Sequence, residues 1–297
     1  MNESELLQII LPAFHADKTV AVGVGDDCAL LQFGNKYLLA AADQVIGNIH
    51  YVPDTPPEAV AAKLLKRNLS DIAAMGGIAR YALCTLAVAG RCDEWLQRFF
   101  KGLEECAEFY QISIVGGDLA SLPVNGECAA LTILGEVEPD KVCLRKNARP
   151  GDAIMVTGEL GDTFFSGHHL DFVPRLGEGR FLAENGFSCC MMDISDGLAA
   201  DLPKLLAASQ VNCDIYLDRL PCRNHCPAIN ALSDGEDYEL LFTLPQEKVE
   251  LLQQKWHFDT PLTQIGRISD GDGRISYWDA GKIIQLNGVT GYEHFGN

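Results

Sequence analysis

The chain has 297 residues, enough for two domains with cores of their own, and its 47% hydrophobic and 22% charged content is ordinary for a globular protein. A formal charge of −18 argues against a nucleic-acid surface, where affinity comes from Lys and Arg neutralising phosphates, and requires that an anionic substrate be accompanied by cations. No apolar run approaches the roughly 20 residues of a membrane span and no basic leader with an apolar core opens the chain, so a cytoplasmic protein that binds no membrane is expected.

Residues 3–14 read as a short helix. Strands follow at 20–24 and 29–33, and a turn at Gly34-Asn35 joins the second of these to a strand over 37–42 as a hairpin. After the loop carrying Gly47, Asn48 and His50, Pro56 and Pro57 open a long helix with Glu58 in its first turn. Ala61, Leu64, Leu65, Leu69, Ile72 and Met75 keep helical spacing until Gly76 and Gly77 stop it. Asp71 therefore lies near the negative end of the helix dipole, which is unfavourable unless a cation is close. A strand over 81–89, an amphipathic helix over 93–109, a strand over 112–115 and another over 129–137 complete about four strands with two long helices. The basic, turn-rich run from Arg145 to Asp152 marks the domain boundary, dividing 1–144 from 145–297. Beyond it come strands at 153–157, 189–192, 215–217 and 240–244, and a helix over 198–209.

Aspartates recur where apolar segments end. Asp26, Asp27, Asp43, Asp118, Asp193 and Asp196 all do so, with Asp71 on its helix. Each alone is equally a cap or turn former. Asp26, Asp43, Asp71, Asp118, Asp193 and Asp196 together make a candidate for hard divalent ions, because magnesium takes carboxylate oxygens plus substrate phosphates. Gly23/Gly25 and Gly116/Gly117 fit no Walker loop or dinucleotide fingerprint, which leaves tight turns or a backbone approach to phosphate. Arg145 could meet a phosphate or simply be solvated, and His168-His169 read as surface residues. Cys222, His225 and Cys226 come closest to zinc-ligand spacing but lack a fourth ligand, so the eleven cysteines read as reduced, mostly buried thiols.

The ordered set Gly25-Asp26-Asp27, Asp43 with His50, Asn68-Leu-Ser-Asp-Ile-Ala-Ala-Met-Gly76, Gly116-Gly117-Asp118, Arg145 before Gly151-Asp152, Asp193-Ile-Ser-Asp-Gly-Leu198, Gly235-Glu-Asp-Tyr-Glu-Leu240 and Gly291-Tyr-Glu-His-Phe295 resembles the thiamine-monophosphate kinases. Their superfamily also holds aminoimidazole ribonucleotide synthetase and selenophosphate synthetase. The resemblance covers essentially the whole chain. It implies an α/β (α+β) protein of two domains, the N-terminal one built on a four-stranded sheet that pairs with its twin in a homodimer, the C-terminal one completing the site. It implies ATP as co-substrate, several magnesium ions and direct phosphoryl transfer to thiamine monophosphate. Carried over by position, Asp26, Asp43, Asp71, Asp118, Asp193 and Asp196 would hold magnesium, with Asp71, Asp118 and Asp196 at the chemistry. Gly117, Asp118, Arg145 and Ser195 would meet ATP, and His50, Glu236 and Tyr292 the thiamine substrate. Ala41 and Ala42 stand where the family pattern has Ser-Thr, and Leu119 where it has Thr. The alternatives are another ATP-dependent synthetase of the superfamily, or a nucleotide-binding module without turnover.

Overall fold

The computed structural model describes residues 6, 9, 10, 17–286 and 288–292. Most of the helix expected over 3–14, and the last three residues of the motif that ends at 295, lie outside them. The strands form two sheets that do not mix along the chain. The first contains β1 (Val20–Val22), β2 (Ala29–Phe33), β3 (Lys36–Ile46), β4 (Ile78–Ala89), β5 (Ser113–Ser121) and β6 (Gly126–Val137), in the order β1-β2-β3-β6-β4-β5. It therefore has six strands: the four long ones that were expected, extended at one edge by β1 and β2. The hairpin at Gly34-Asn35 forms, with Phe33 opposite Lys36.

Two helices cover one face of this sheet. Helix α1 (Pro57–Ala74) starts on proline, whose missing N–H would be unsatisfied at that position anyway, and α2 (Asp93–Phe109) carries Asp93 and Glu94 in its first turn, where the helix dipole favours acids. Burial alternates strictly along β6, as it must when one face of a strand meets a helix layer. Leu64, Leu65, Leu69 and Ile72 of α1 are fully buried against Leu39, Leu131 and Ile133, each contributing about 2 kcal/mol by leaving water.

The second sheet runs β13-β12-β9-β11-β7-β10-β8. Its strands are β7 (Asp152–Thr157), β8 (Cys190–Asp193), β9 (Val211–Tyr216), β10 (Leu240–Pro245), β11 (Leu262–Asp270), β12 (Ile275–Asp279) and β13 (Lys282–Ile284), with helices α3 (His168–Asp171), α4 (Leu176–Glu184), α5 (Leu198–Ser209), α6 (Ala228–Ser233) and α7 (Val249–Lys255) around them. The last turn of α1 does not stay with the first sheet. Ala73 and Ala74 belong to a third core with Met155, Leu182, Leu240 and Phe242 of the second half. Gly179 of α4 packs so tightly on Ala73 that a β-carbon there would stand 2.3 Å from the Ala73 carbonyl oxygen. Helix α1 is thus shared by both halves and carries its C-terminal residues to the junction between them.

Among the described residues, no helix is long and apolar enough to cross a membrane. His169 is buried and stacks on Phe164, and His168 is half-buried against Asp237 and Arg223, so neither is the surface residue expected.

Candidate active site

Three carboxylates meet at the junction. Asp27 comes from the turn after β1, Asp71 from the last turn of α1 and Asp193 from the end of β8, and oxygens of all three lie within 4.8 Å of one another. Asp27 and Asp193 are fixed from outside the group. Arg145 grips Asp27 with Nη2 at 2.6 Å and Nε at 3.3 Å, and the Ser70 hydroxyl donates to Asp193 at 2.6 Å. The Asn68 side chain receives the backbone N–H of Asp43 at 3.1 Å and donates to the Leu64 carbonyl at 2.9 Å, which pins β3 to α1 beside Asp71.

Desolvation, then the charges of Asp43, Asp193 and Asp27, push the Asp71 carboxyl well above the ordinary carboxylate range. Burial and Asp27 do the same to Asp193. Asp26 rises to about 7, chiefly through burial and the adjacent Asp27. Burial and mutual repulsion of this kind oppose the charged forms of Asp71 and Asp193, and a bound cation would offset that cost. An all-oxygen set of this kind suits magnesium, and the residues present fit it.

The sequence singled out Asp26 as a ligand; its carboxylate accepts the backbone N–H of Arg145 at 3.2 Å, and the adjacent Asp27 is the one grouped with Asp71 and Asp193. Asp43 and Asp118 were expected at strand ends. Both lie within longer strands, because β3 continues to Ile46 and β5 to Ser121. Asp43 remains an electrostatic neighbour of Asp71. Asp118 is exposed on edge strand β5, opposite Thr85, and is not part of the three-carboxylate group. Gly117 lies against β4 so closely that a β-carbon would stand 1.7 Å from the Cys84 carbonyl oxygen. Cys222, His225 and Cys226 form no three-ligand group among the described residues.

Beside the carboxylates opens a cleft of about 470 Å³ whose lining includes His50, Ser195, Asp196, Glu236 and Tyr292. One turn, Ser195-Asp196, gathers four of these. The Ser195 carbonyl accepts the N–H of Glu236 at 2.7 Å, and the Asp196 carbonyl accepts that of Tyr292 at 2.9 Å. The turn is itself held by Asp201, whose Oδ2 receives the N–H groups of both Ser195 and Asp196 at 2.9 Å. Lys204 reaches both Asp196 and Asp201. His50 accepts the Ile46 N–H on Nδ1 at 3.0 Å, which fixes the ring. Lys63, with no exposed side-chain surface, donates to the His50 carbonyl at 2.6 Å and pairs with Glu236 at 2.7 Å. Burial lowers its pKa to about 8, although Glu236 works the other way.

Asp27, Lys63, Arg67 and Asp201 were not singled out as functional from the sequence. A signal for two of them was present: Lys63, Arg67 and Asp71 are spaced by four and so share one face of α1.

Two sheets joined by a shared helix, with buried acids beside a substrate-sized cleft, define an AIR synthase-like protein, and the family model "AIR synthase related protein, N-terminal domain" matches residues 25–137. The chain is 30% identical to the thiamine-monophosphate kinase of Bacillus subtilis (strain 168), over 99% of this chain and 100% of that one, and 32% identical to that of Haemophilus influenzae, over 94% and 93%. A solved structure of AaThiL complexed with AMPPCP and TMP matches with a TM-score of 0.84 at 29% identity, covering 99% of this chain and 97% of the other. The chain belongs to the thiamine-monophosphate kinase family.

Proposed function

We propose that this protein transfers the terminal phosphoryl group of ATP to thiamine monophosphate, giving thiamine diphosphate and ADP. The observation that carries the reading is the convergence of His50, Ser195, Asp196, Glu236 and Tyr292 on one cleft beside the Asp27, Asp71 and Asp193 carboxylates. Full-length likeness to thiamine-monophosphate kinases supports the same conclusion.

The acceptor is already an anionic phosphate, so the reaction needs no covalent nucleophile on the protein. The task is to bring two anions together in line and neutralise them. In our reading Asp27, Asp43, Asp71 and Asp193 hold magnesium, with Asp118 and Asp196 contributing from β5 and the 195–196 turn. Bound there, magnesium supplies the positive charge against which both phosphates are aligned. Ser195, Gly117 and Arg145 meet ATP, and Arg145 also orients Asp27. Tyr292 offers an aromatic face to the cationic thiazolium ring, Glu236 adds a negative charge, and His50 closes that end of the cleft. Lys63 keeps Glu236 in place and limits its charge.

We assign residues 1–144 to a metal- and ATP-binding domain and 145–297 to the domain that completes the site. A homodimer is part of the reading, supported by the exposure of all nine residues of edge strand β5. A cytoplasmic location is supported by eleven cysteines without a disulfide. Incubating the purified protein with magnesium, ATP and thiamine monophosphate tests the activity: thiamine diphosphate should accumulate with ADP, and no product above an enzyme-free control overturns the assignment.

A further inference from the structure

We propose that Arg67 forms an anion subsite between the carboxylate group and the cleft, and that it grips the phosphomonoester of the acceptor. The inference rests on the kinase reading above and names the side chain by which this chain tells thiamine monophosphate from thiamine.

Among the described residues lining the cleft, Arg67 is the one Lys or Arg, against Asp162, Asp196, Asp234 and Glu236. Four acids around a cleft repel an anionic ligand everywhere except where a fixed cation stands. Lys63, one turn earlier on the same face of α1, is not available: it is buried and its ammonium is engaged by the His50 carbonyl and Glu236. Arg67 is differently placed. Its Nη1 donates to the Gln44 carbonyl at 2.8 Å, and its Nε faces Asp43 at 3.4 Å, an ion pair but no hydrogen bond, so that Nε is buried without a hydrogen-bond partner. No hydrogen bond among the described residues occupies Nη2.

The guanidinium is therefore anchored along one edge by β3, with donors still unspent. Its side chain is only 11% exposed, so little rotamer freedom remains to be lost on binding. A planar fork of this kind matches two oxygens of a phosphate, which a single ammonium does not. Its position supplies the register. Asp43 stands behind it and Asp71 lies one turn further along the helix, so an acceptor phosphate held by Arg67 faces the carboxylate group while the rest of the ligand extends toward Glu236 and Tyr292. Arg67 also places a permanent positive charge beside Asp43, where Ala41 and Ala42 offer no hydroxyl.

The experiment is calorimetric titration of the full chain with thiamine monophosphate and, separately, with thiamine, for wild type, Arg67→Ala and Arg67→Lys. Arg67→Ala should weaken thiamine monophosphate binding about 10- to 100-fold and leave thiamine binding unchanged, with Arg67→Lys recovering part of the loss. In turnover, KM for thiamine monophosphate should rise while KM for ATP stays. Equal weakening of both ligands identifies a merely structural role and overturns the proposal, as does unchanged binding of both. If Arg67→Ala does not fold, judged by thermal unfolding, the ratio of the two affinities in Arg67→Lys decides in the same way. A wild-type protein that makes thiamine diphosphate while Arg67→Ala keeps full preference for the phosphorylated ligand overturns this inference alone. Wild type that neither binds nor phosphorylates thiamine monophosphate overturns the functional reading with it.

Discussion

Asp71, a metal ligand in the reading proposed above, illustrates how such a role conflicts with the stability of the fold that carries it. It sits at the negative end of α1, within reach of Asp27 and Asp193, and desolvation pushes its carboxyl well above its ordinary range. Asp71→Asn should therefore lower turnover by about 10²- to 10³-fold, on the scale of losing one electrostatic stabiliser, while the fold persists. In buffer free of divalent cations at pH 7 the variant should be at least as stable as wild type, by up to about 1 kcal/mol, because a repelled carboxylate has been removed. Kinetics together with thermal unfolding in a chelator checks both halves, and near-normal turnover would remove Asp71 from the metal set. His168 predicts the opposite trend with acid. Burial, opposed by the hydrogen bond to the Asp237 carbonyl and reinforced by the charges of Arg223, Arg175 and Lys66, lowers its pKa to about 4, so the unfolded chain takes up a proton near pH 6.5 that the folded chain refuses. Stability is present above that range and is lost as pH falls toward 4. After allowance for partial exposure the loss should be about 1 kcal/mol by pH 5, and urea unfolding of His168→Gln should lack it. At this scale the sequence was informative about residue type but poor about direction. Asp26 and Asp27 are adjacent in an irregular turn, and no periodicity says which carboxylate points inward. Lys63 and Arg67 were overlooked because cations on a helix usually mark its solvated side; here that face is the wall of a cleft.

The long elements were readable because each has one dominant contact. The expected helix over 93–109 coincides with α2, and that over 198–209 with α5. Strand limits were less legible: the tetrads around Asp43 and Asp118 are polar or glycine-rich, and only pairing with β6 and β4 carries the strands through them. The late strands β11 and β12 escaped because their sequences mix Gly, Asp or Ser with the apolar residues, β13 because it is three residues long, and β12 owes its place to parallel pairing with β9, far away in sequence. Gly117 belongs to this scale. Only a glycine lets β5 lie on β4 there, so Gly117→Val should unpair the middle of β5, with a loss of about 2 to 4 kcal/mol in denaturant unfolding. A variant as stable as wild type would show that the close approach can relax.

At the scale of the molecule, β5 has one neighbour and all of its residues exposed, and Tyr81 and Leu83 of β4 and Ile114, Val115 and Leu119 of β5 are exposed apolar side chains at that edge of the sheet. An edge of this kind calls for a partner, and a second copy fits the reading given above. Wild type should sediment as a dimer and Leu119→Glu as a monomer or a far weaker dimer; a monomeric wild type would end that part of the assignment. That the sheet has this edge was not legible in the sequence, since the order of strands depends on pairings many residues apart.

The sharing of α1 also bears on biosynthesis. The first 144 residues contain Asp27, Asp43 and Asp71, but Asp193, Ser195 and Glu236 leave the ribosome later, and Ala73 and Ala74 lack all of their core but Cys143 until the second half arrives. A growing chain therefore presents an incomplete set of acids and an uncovered helix end. On the reading proposed above, it becomes competent for catalysis only when the second half docks.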